Sequence, residues 1–168
     1  MKVIIEQLQK NKTVFYNLLK DEKEAKFLWR PSPDKWNLLE IICHLYDEER
    51  DDFRFRVQWV LNTPYEIPPP IDPHGWVKKH NYIEQDYKTM LDKFIIERAQ
   101  SIIWLTSLEH ANWNNSFEHS KLGILTAKHF LVNWLAHDYL HIKQILKLKF
   151  DYLKYQSEES LDYAGVWN

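Results

Sequence analysis

Thr126–Phe150, TAKHFLVNWLAHDYLHIKQILKLKF, decides the fold. The stretch has no Gly or Pro, and apolar side chains recur at spacings of three and four, so it reads as one long helix. Its inward face runs Phe130, Trp134, His137, His141, Ile145, Leu148. Two imidazoles therefore stand where the pattern asks for core side chains. At i and i+4 they project side by side, with Cβ atoms about 6 Å apart. Two neutral imidazoles so placed can ligate one divalent metal from a single helix. The alternative is a pair of core histidines, each hydrogen-bonded to a neighbour.

Composition narrows the rest. With 168 residues and a formal charge of −2, the chain can bury the core of a single domain, residues 1–168. Its basic residues are scattered among acids, which gives no electrostatic case for nucleic acid or an anionic membrane. Cys43 is the one cysteine, so neither an internal disulfide nor a cysteine-based zinc site is available. The opening MKVIIEQLQKNK turns polar too soon for a signal peptide, and no apolar run approaches the ~20 residues of a membrane span. A cytoplasmic protein is expected. Eight Trp and eight His against only three Gly suit a helical chain with few tight turns.

Working outward, residues 2–20 show a first helix on Ile4, Leu8, Phe15 and Leu19, reaching towards Leu28 before Pro31 and Pro33 end it. The short link RPSPDKW predicts an antiparallel second helix. That helix opens on a capping box, Asn37 with Glu40, and runs through LLEIICHLYDEERDDFRFRVQWVLN. His44 flanks its apolar stripe, and Glu48 lies one turn along at nearly the same azimuth. Asp47 and Asp51 read as a solvated acidic face. Glu48 and Glu49 lie nearer the stripe, where a buried carboxylate needs a cation or donor. Residues 62–76 hold five of the seven prolines and form a stiff crossover, which allows the third helix to run parallel to the second. His74 and Trp76 upon it read as structural or exposed.

The third helix is expected over Val77–Leu108, with Arg98 either a buried counter-charge or a surface residue. Residues 109–124 read as an irregular link. Thr126 caps the long helix. No Gly-rich phosphate loop or catalytic triad is legible, and Cys43 reads as inert core.

Three pieces stand in order: RPSPDKWNLLEIICHLYDEER (30–50), HSKLGILTAKHF (119–130) and NWLAHDYLHIKQI (133–145). Together they resemble the DinB-like superfamily, in particular its DinB_2-type branch. The first carries the pattern on Trp36, Asn37, Glu40, His44, Leu45, Asp47 and Glu49. The second carries it on His119, Gly123 and Thr126, and the third on His137, Asp138, His141, Gln144 and Ile145. Asn37 replaces the family's Ser or Thr and caps equally well. The likeness covers most of residues 28–150.

The resemblance implies an all-α four-helix bundle, up-down-down-up, with the Pro-rich connection between helices 2 and 3. It also implies one divalent metal, zinc or nickel, on His44, His137 and His141. Three histidines leave a coordination position open, the layout of a catalytic site. The expected activity is metal-dependent hydrolysis or transfer of a low-molecular-weight thiol. The reactants would be a small molecule and, for transfer, a thiol cosubstrate. Glu48 or Glu49 would be the base or would orient a ligand, and His119 could reach the site mouth. His129, Asp138 and Gln144 are expected to be structural. A homodimer also fits the likeness. The alternative is a helical bundle that binds a ligand or partner without catalysis.

Overall fold

The computed structural model describes residues 1–167. Helix α1 spans Lys2–Leu19 and stops at Lys20, just before Asp21 takes a left-handed turn (φ 60°). A short α2, Glu24–Phe27, follows, so the first helix does not continue to Leu28. The second long rod runs from Leu38 to Asn62 without leaving helical dihedrals, but it has three parts: α3 (Leu38–Asp47), a π-helical turn (Glu48–Arg54) and α4 (Phe55–Asn62). Its start is the expected capping box. Asn37 Oδ1 accepts from the Glu40 amide, and Glu40 accepts from the Asn37 amide, each at 2.9 Å.

The prolines then deliver the chain to α5, Pro73–Lys79, capped by Asp72. The single third helix expected from Val77 is broken. His80–Asp86 turn the chain through a left-handed Asn81 (φ 45°) and a 3₁₀ turn at Tyr82–Glu84. Only then does α6 run, Tyr87–Ser107, from an Asp86 cap. The link expected to be irregular contains a hairpin, with Ser116–His119 (β1) paired antiparallel to Gly123–Thr126 (β2). Gly123 (φ 73°) supplies the left-handed residue that re-enters the ladder. Thr126 caps α7, Ala127–Ser157, through its hydroxyl to the His129 amide.

Side-chain pairings fix the helix directions. Tyr87, at the start of α6, donates to the carbonyl of Leu19 at the end of α1, and Phe94 meets Phe15 edge-on, so α1 and α6 are antiparallel. Asn11 bonds Asp138 while Lys149 reaches the Leu18 carbonyl, so α1 and α7 are parallel. Glu49 meets Arg98 and Arg54 meets Ser101, which makes the second rod parallel to α6. His44 faces His141 while Phe53 faces Trp134, which makes it antiparallel to α7. The bundle is up-down-down-up, with the Pro-rich crossover joining the two parallel rods. One apolar cluster, around Phe15, Leu39, Ile42, Phe94 and Ile145, fills one end. A second, around Leu8, Val57, Leu105, Phe130 and Trp134, fills the other. Each fully buried side chain of this size contributes roughly 1.5–3 kcal/mol.

Candidate metal centre

Between the two apolar clusters the core turns polar. His44 on α3 meets His137 and His141 on α7, with ring centroids 5.4 and 4.9 Å away. Each imidazole offers one nitrogen to a group whose members all lie within 4.8 Å of one another. The Nε2 atoms of His137 and His141 are 3.0 Å apart. His44 and His141 are buried and His137 is half-buried. Trp36 packs on His44 and Phe53 on His137, so aromatic walls close two sides.

Burial penalises the imidazolium, and the rings penalise one another. His44 is pushed down to about 3, by burial first and then by His141 and His74. His137 is pushed to about 2, by burial and then by the other two imidazoles. His141 is also lowered by burial, which a hydrogen bond with Gln144 partly opposes. All three rings are therefore neutral near pH 7 and carry lone pairs. The amide of Gln144 lies 2.8 Å from His141 Nδ1. If its oxygen accepts there, the proton sits on Nδ1 and the Nε2 lone pair turns to the cluster. His44 Nδ1 is sealed from solvent without a hydrogen-bond partner. Its nearest carboxylate, Glu48, stands at 3.8 Å, beyond hydrogen-bond reach. A donor set of three neutral imidazoles, two of them buried and one holding an orphaned nitrogen, fits a divalent cation of the zinc type.

The two carboxylates that the sequence offers as a base part company. Glu49 is spent: Oε1 accepts from Arg98 Nε at 2.8 Å and Oε2 from Trp134 Nε1 at 2.9 Å. Both of its oxygens are engaged, which anchors it to α6 and α7 from within the π-helical turn. Glu48 is buried beside His44, and its carboxyl is held well above the usual range by burial and then by Asp52. His119 does not join the cluster. It sits at the hairpin turn, where its Nδ1 accepts from the amides of Lys121 and Leu122.

Arg98 is the buried counter-charge rather than the surface residue. It is 1% exposed and grips Asp138 through Nη1 and Nη2 at 2.8 and 2.7 Å while also holding Glu49. Asn11 completes the shell on Asp138 at 3.0 Å. Asp47 is not on a solvated face. It is buried and accepts from Tyr82 at 2.7 Å, with His80 Nδ1 also at 2.7 Å. The signal for Asp47 lies in the very segment read as continuous helix, because the break at Asn81 is what swings His80 and Tyr82 back onto α3. Trp76 is buried and His74 is exposed.

A search of curated proteins finds no match. Among solved structures, YfiT from Bacillus subtilis superposes with a TM-score of 0.77 at 16% identity, over 95% of this chain and 88% of that one. YfiT is described as a probable metal-dependent hydrolase with an unusual four-helix bundle topology. At this identity the likeness speaks for the fold. A profile of the DinB superfamily matches residues 7–145, most of the length, and the chain belongs to that superfamily.

Proposed function

We propose that the three imidazoles hold one divalent metal, zinc or nickel, and that the protein uses it on a small molecule, by hydrolysis or by transfer of a low-molecular-weight thiol. One observation carries the reading. Three neutral imidazoles from two helices, two of them buried and one half-buried, bring nitrogens within 4.8 Å of one another, and one nitrogen has no protein partner. The description of YfiT supports the hydrolytic version. A divalent cation there would supply Lewis-acid chemistry, making water or a thiol more acidic and polarising a carbonyl.

The chain's own residues do the rest. Gln144 holds His141 by its Nδ1. Glu48 is buried beside the His44 ring, and when ionised it accepts a proton at the site edge. Trp36 and Phe53 keep bulk water from two sides. Metal content of untagged protein tests the reading. About one zinc or nickel per chain in the wild type, and little in His44→Ala or His137→Ala, is expected. A wild type that binds no more metal than either variant overturns it.

We also propose one domain over residues 1–168, acting in the cytoplasm as a homodimer. On the outer side of α7, Val132, Tyr139, Leu146 and Leu153 recur every seven residues, the heptad period of a coiled-coil seam. Val132, Tyr139, Leu146 and Leu153 are 39–53% exposed. The stripe is about 30 Å long at the helical rise, enough for the ~800 Å² per partner of a standard interface. Light scattering should give twice the chain mass, and Leu146→Glu should halve it. A wild type of single-chain mass at high micromolar concentration removes the dimer.

A further inference from the structure

The polar layer beside the imidazoles is complete in hydrogen bonds but not in charge. Arg98 donates to both Glu49 and Asp138, Trp134 adds a donor to Glu49, and Asn11 adds one to Asp138. Every oxygen of the two carboxylates is partnered. Yet two carboxylates share one guanidinium, so the network has a net charge of −1. All three ionic side chains are 2% exposed or less. An excess charge kept so far from water is expensive unless something opposes it. Of the other acids nearby, Asp52 pairs with Arg56 and Glu97 with Arg54, while Glu48 faces His44.

The layer is also contiguous with the imidazoles. Asp138 follows His137 in the chain and precedes His141 by one turn. The Trp134 indole that bonds Glu49 stacks on Phe53, which in turn packs on His137. Three neutral imidazoles bring no negative charge to a divalent ion, so a site made of them alone would place two uncompensated charges in the core.

We propose that the Glu49–Arg98–Asp138 network is the buried counter-charge of the metal held by His44, His137 and His141, so that Glu49 and Asp138 set metal affinity without touching the ion. This rests on the metal reading above. The role is one of positioning and electrostatics, and it also explains why the layer contains two acids where one would neutralise Arg98.

A counter-charge acts in proportion to the charge of the ion, whereas a purely structural prop does not. Glu49→Gln and Asp138→Asn each remove one negative charge, from opposite ends of Arg98. Affinities for Zn²⁺ and, without oxygen, for Cu⁺ are measured by competition with chromophoric chelators. Each variant should bind Zn²⁺ on the order of 100-fold more weakly and Cu⁺ on the order of tenfold more weakly, since the energy of the divalent ion is twice that of the monovalent one. Arg98→Lys keeps the net charge and should leave the Zn²⁺/Cu⁺ ratio at the wild-type value, whatever it does to stability. Should neither neutral variant fold, Asn11→Asp adds a charge to the same layer and must shift the ratio in the opposite direction. Equal losses for both ions, or none, overturn the counter-charge role. A wild type that binds neither ion overturns the metal reading itself, a separate outcome.

Discussion

The side-chain amide of Gln144 stands 2.8 Å from Nδ1 of His141, one turn along the same helix. It can accept the ring proton and so commits the opposite nitrogen to the cluster. Gln144→Ala frees the ring to rotate and to take the other tautomer. Metal affinity should fall about 10- to 100-fold, the range found for partners of ligating histidines. Isothermal titration measures it. Unchanged affinity would show that the ring is positioned by packing alone.

Metal should also stabilise the fold by mass action. At a hundredfold excess over its dissociation constant the increment is about 2.7 kcal/mol. His137→Ala should lose most of it, and His110→Ala, in the exposed link after α6, should keep it. Thermal melts with and without chelator make the comparison. Equal responses from wild type and His137→Ala would remove His137 from the ligand set.

Truncating the charge at the centre of the bundle should be severe. Arg98→Met strands two buried carboxylates, and removing one partner of a buried ion pair costs about 3–5 kcal/mol. Urea unfolding at pH 7 reads this directly. A loss under about 1 kcal/mol would mean that water reaches Glu49 and Asp138.

Acid should weaken the end of the bundle where Glu22 meets Lys149 at 2.6 Å and Lys26 at 2.9 Å. Burial works to raise the Glu22 pKa, but the hydrogen bonds from Lys149 and Lys26 outweigh it and hold the carboxyl below the ordinary value. A depressed carboxyl stabilises the fold above its unfolded pKa, and that share disappears as pH falls through the folded value. Because the group is partly exposed, the effect belongs with solvent-screened pairs, about 0.2–1 kcal/mol. Glu22→Gln should lower the urea midpoint at pH 6 and leave it nearly unchanged at pH 3. An equal difference at both pH values would point to packing instead of charge.

Cys43 should resist thiol reagents. It is fully buried, and its pKa is pushed up to about 12 by burial and then by Asp47. Nucleophilic attack needs the thiolate. Reaction with a chromogenic disulfide should follow global unfolding. Rapid labelling in native buffer would reveal opening between α3 and α6.

Much of this architecture was legible in residue order because local chemistry dictates it. The Asn37–Glu40 box and the Thr126 cap need only a few neighbouring residues to form, and both stand where the sequence puts them. The pairing of His137 with His141 follows from helix period alone. The convergence of His44 could be anticipated only through the superfamily's patterns, since nothing local joins it to α7. What escaped depends on partners distant in sequence or on departures from the α period. The acidic run at 47–52 looks solvated until Arg98 and the His80–Tyr82 segment are brought against it. Stepping 100° per residue fails across the π-helical turn, which is why Glu48 and Glu49 read as near equals although one is sequestered on Arg98. The hairpin at 116–126 has no long alternating run to announce it. Its cue is the single Gly123.

The π-helical turn also reconciles the rod's residue number with the way its two ends face. Each π-type bond spans one residue more than an α-type bond, so Glu48–Arg54 stores a surplus residue in the middle of Leu38–Asn62. The flanking α-turns therefore face as they would in a plain α-helix one residue shorter. Losing one residue at Asp51 or Asp52 would let the rod relax to plain α-helix with His44 still turned to α7 and Val57 and Val60 still in their apolar cluster. Straightening the turn with no residue lost would instead rotate His44 by about a quarter of a revolution relative to α4 and open the triad. The extra residue is therefore tolerated in length only because the π-turn absorbs it in rotation.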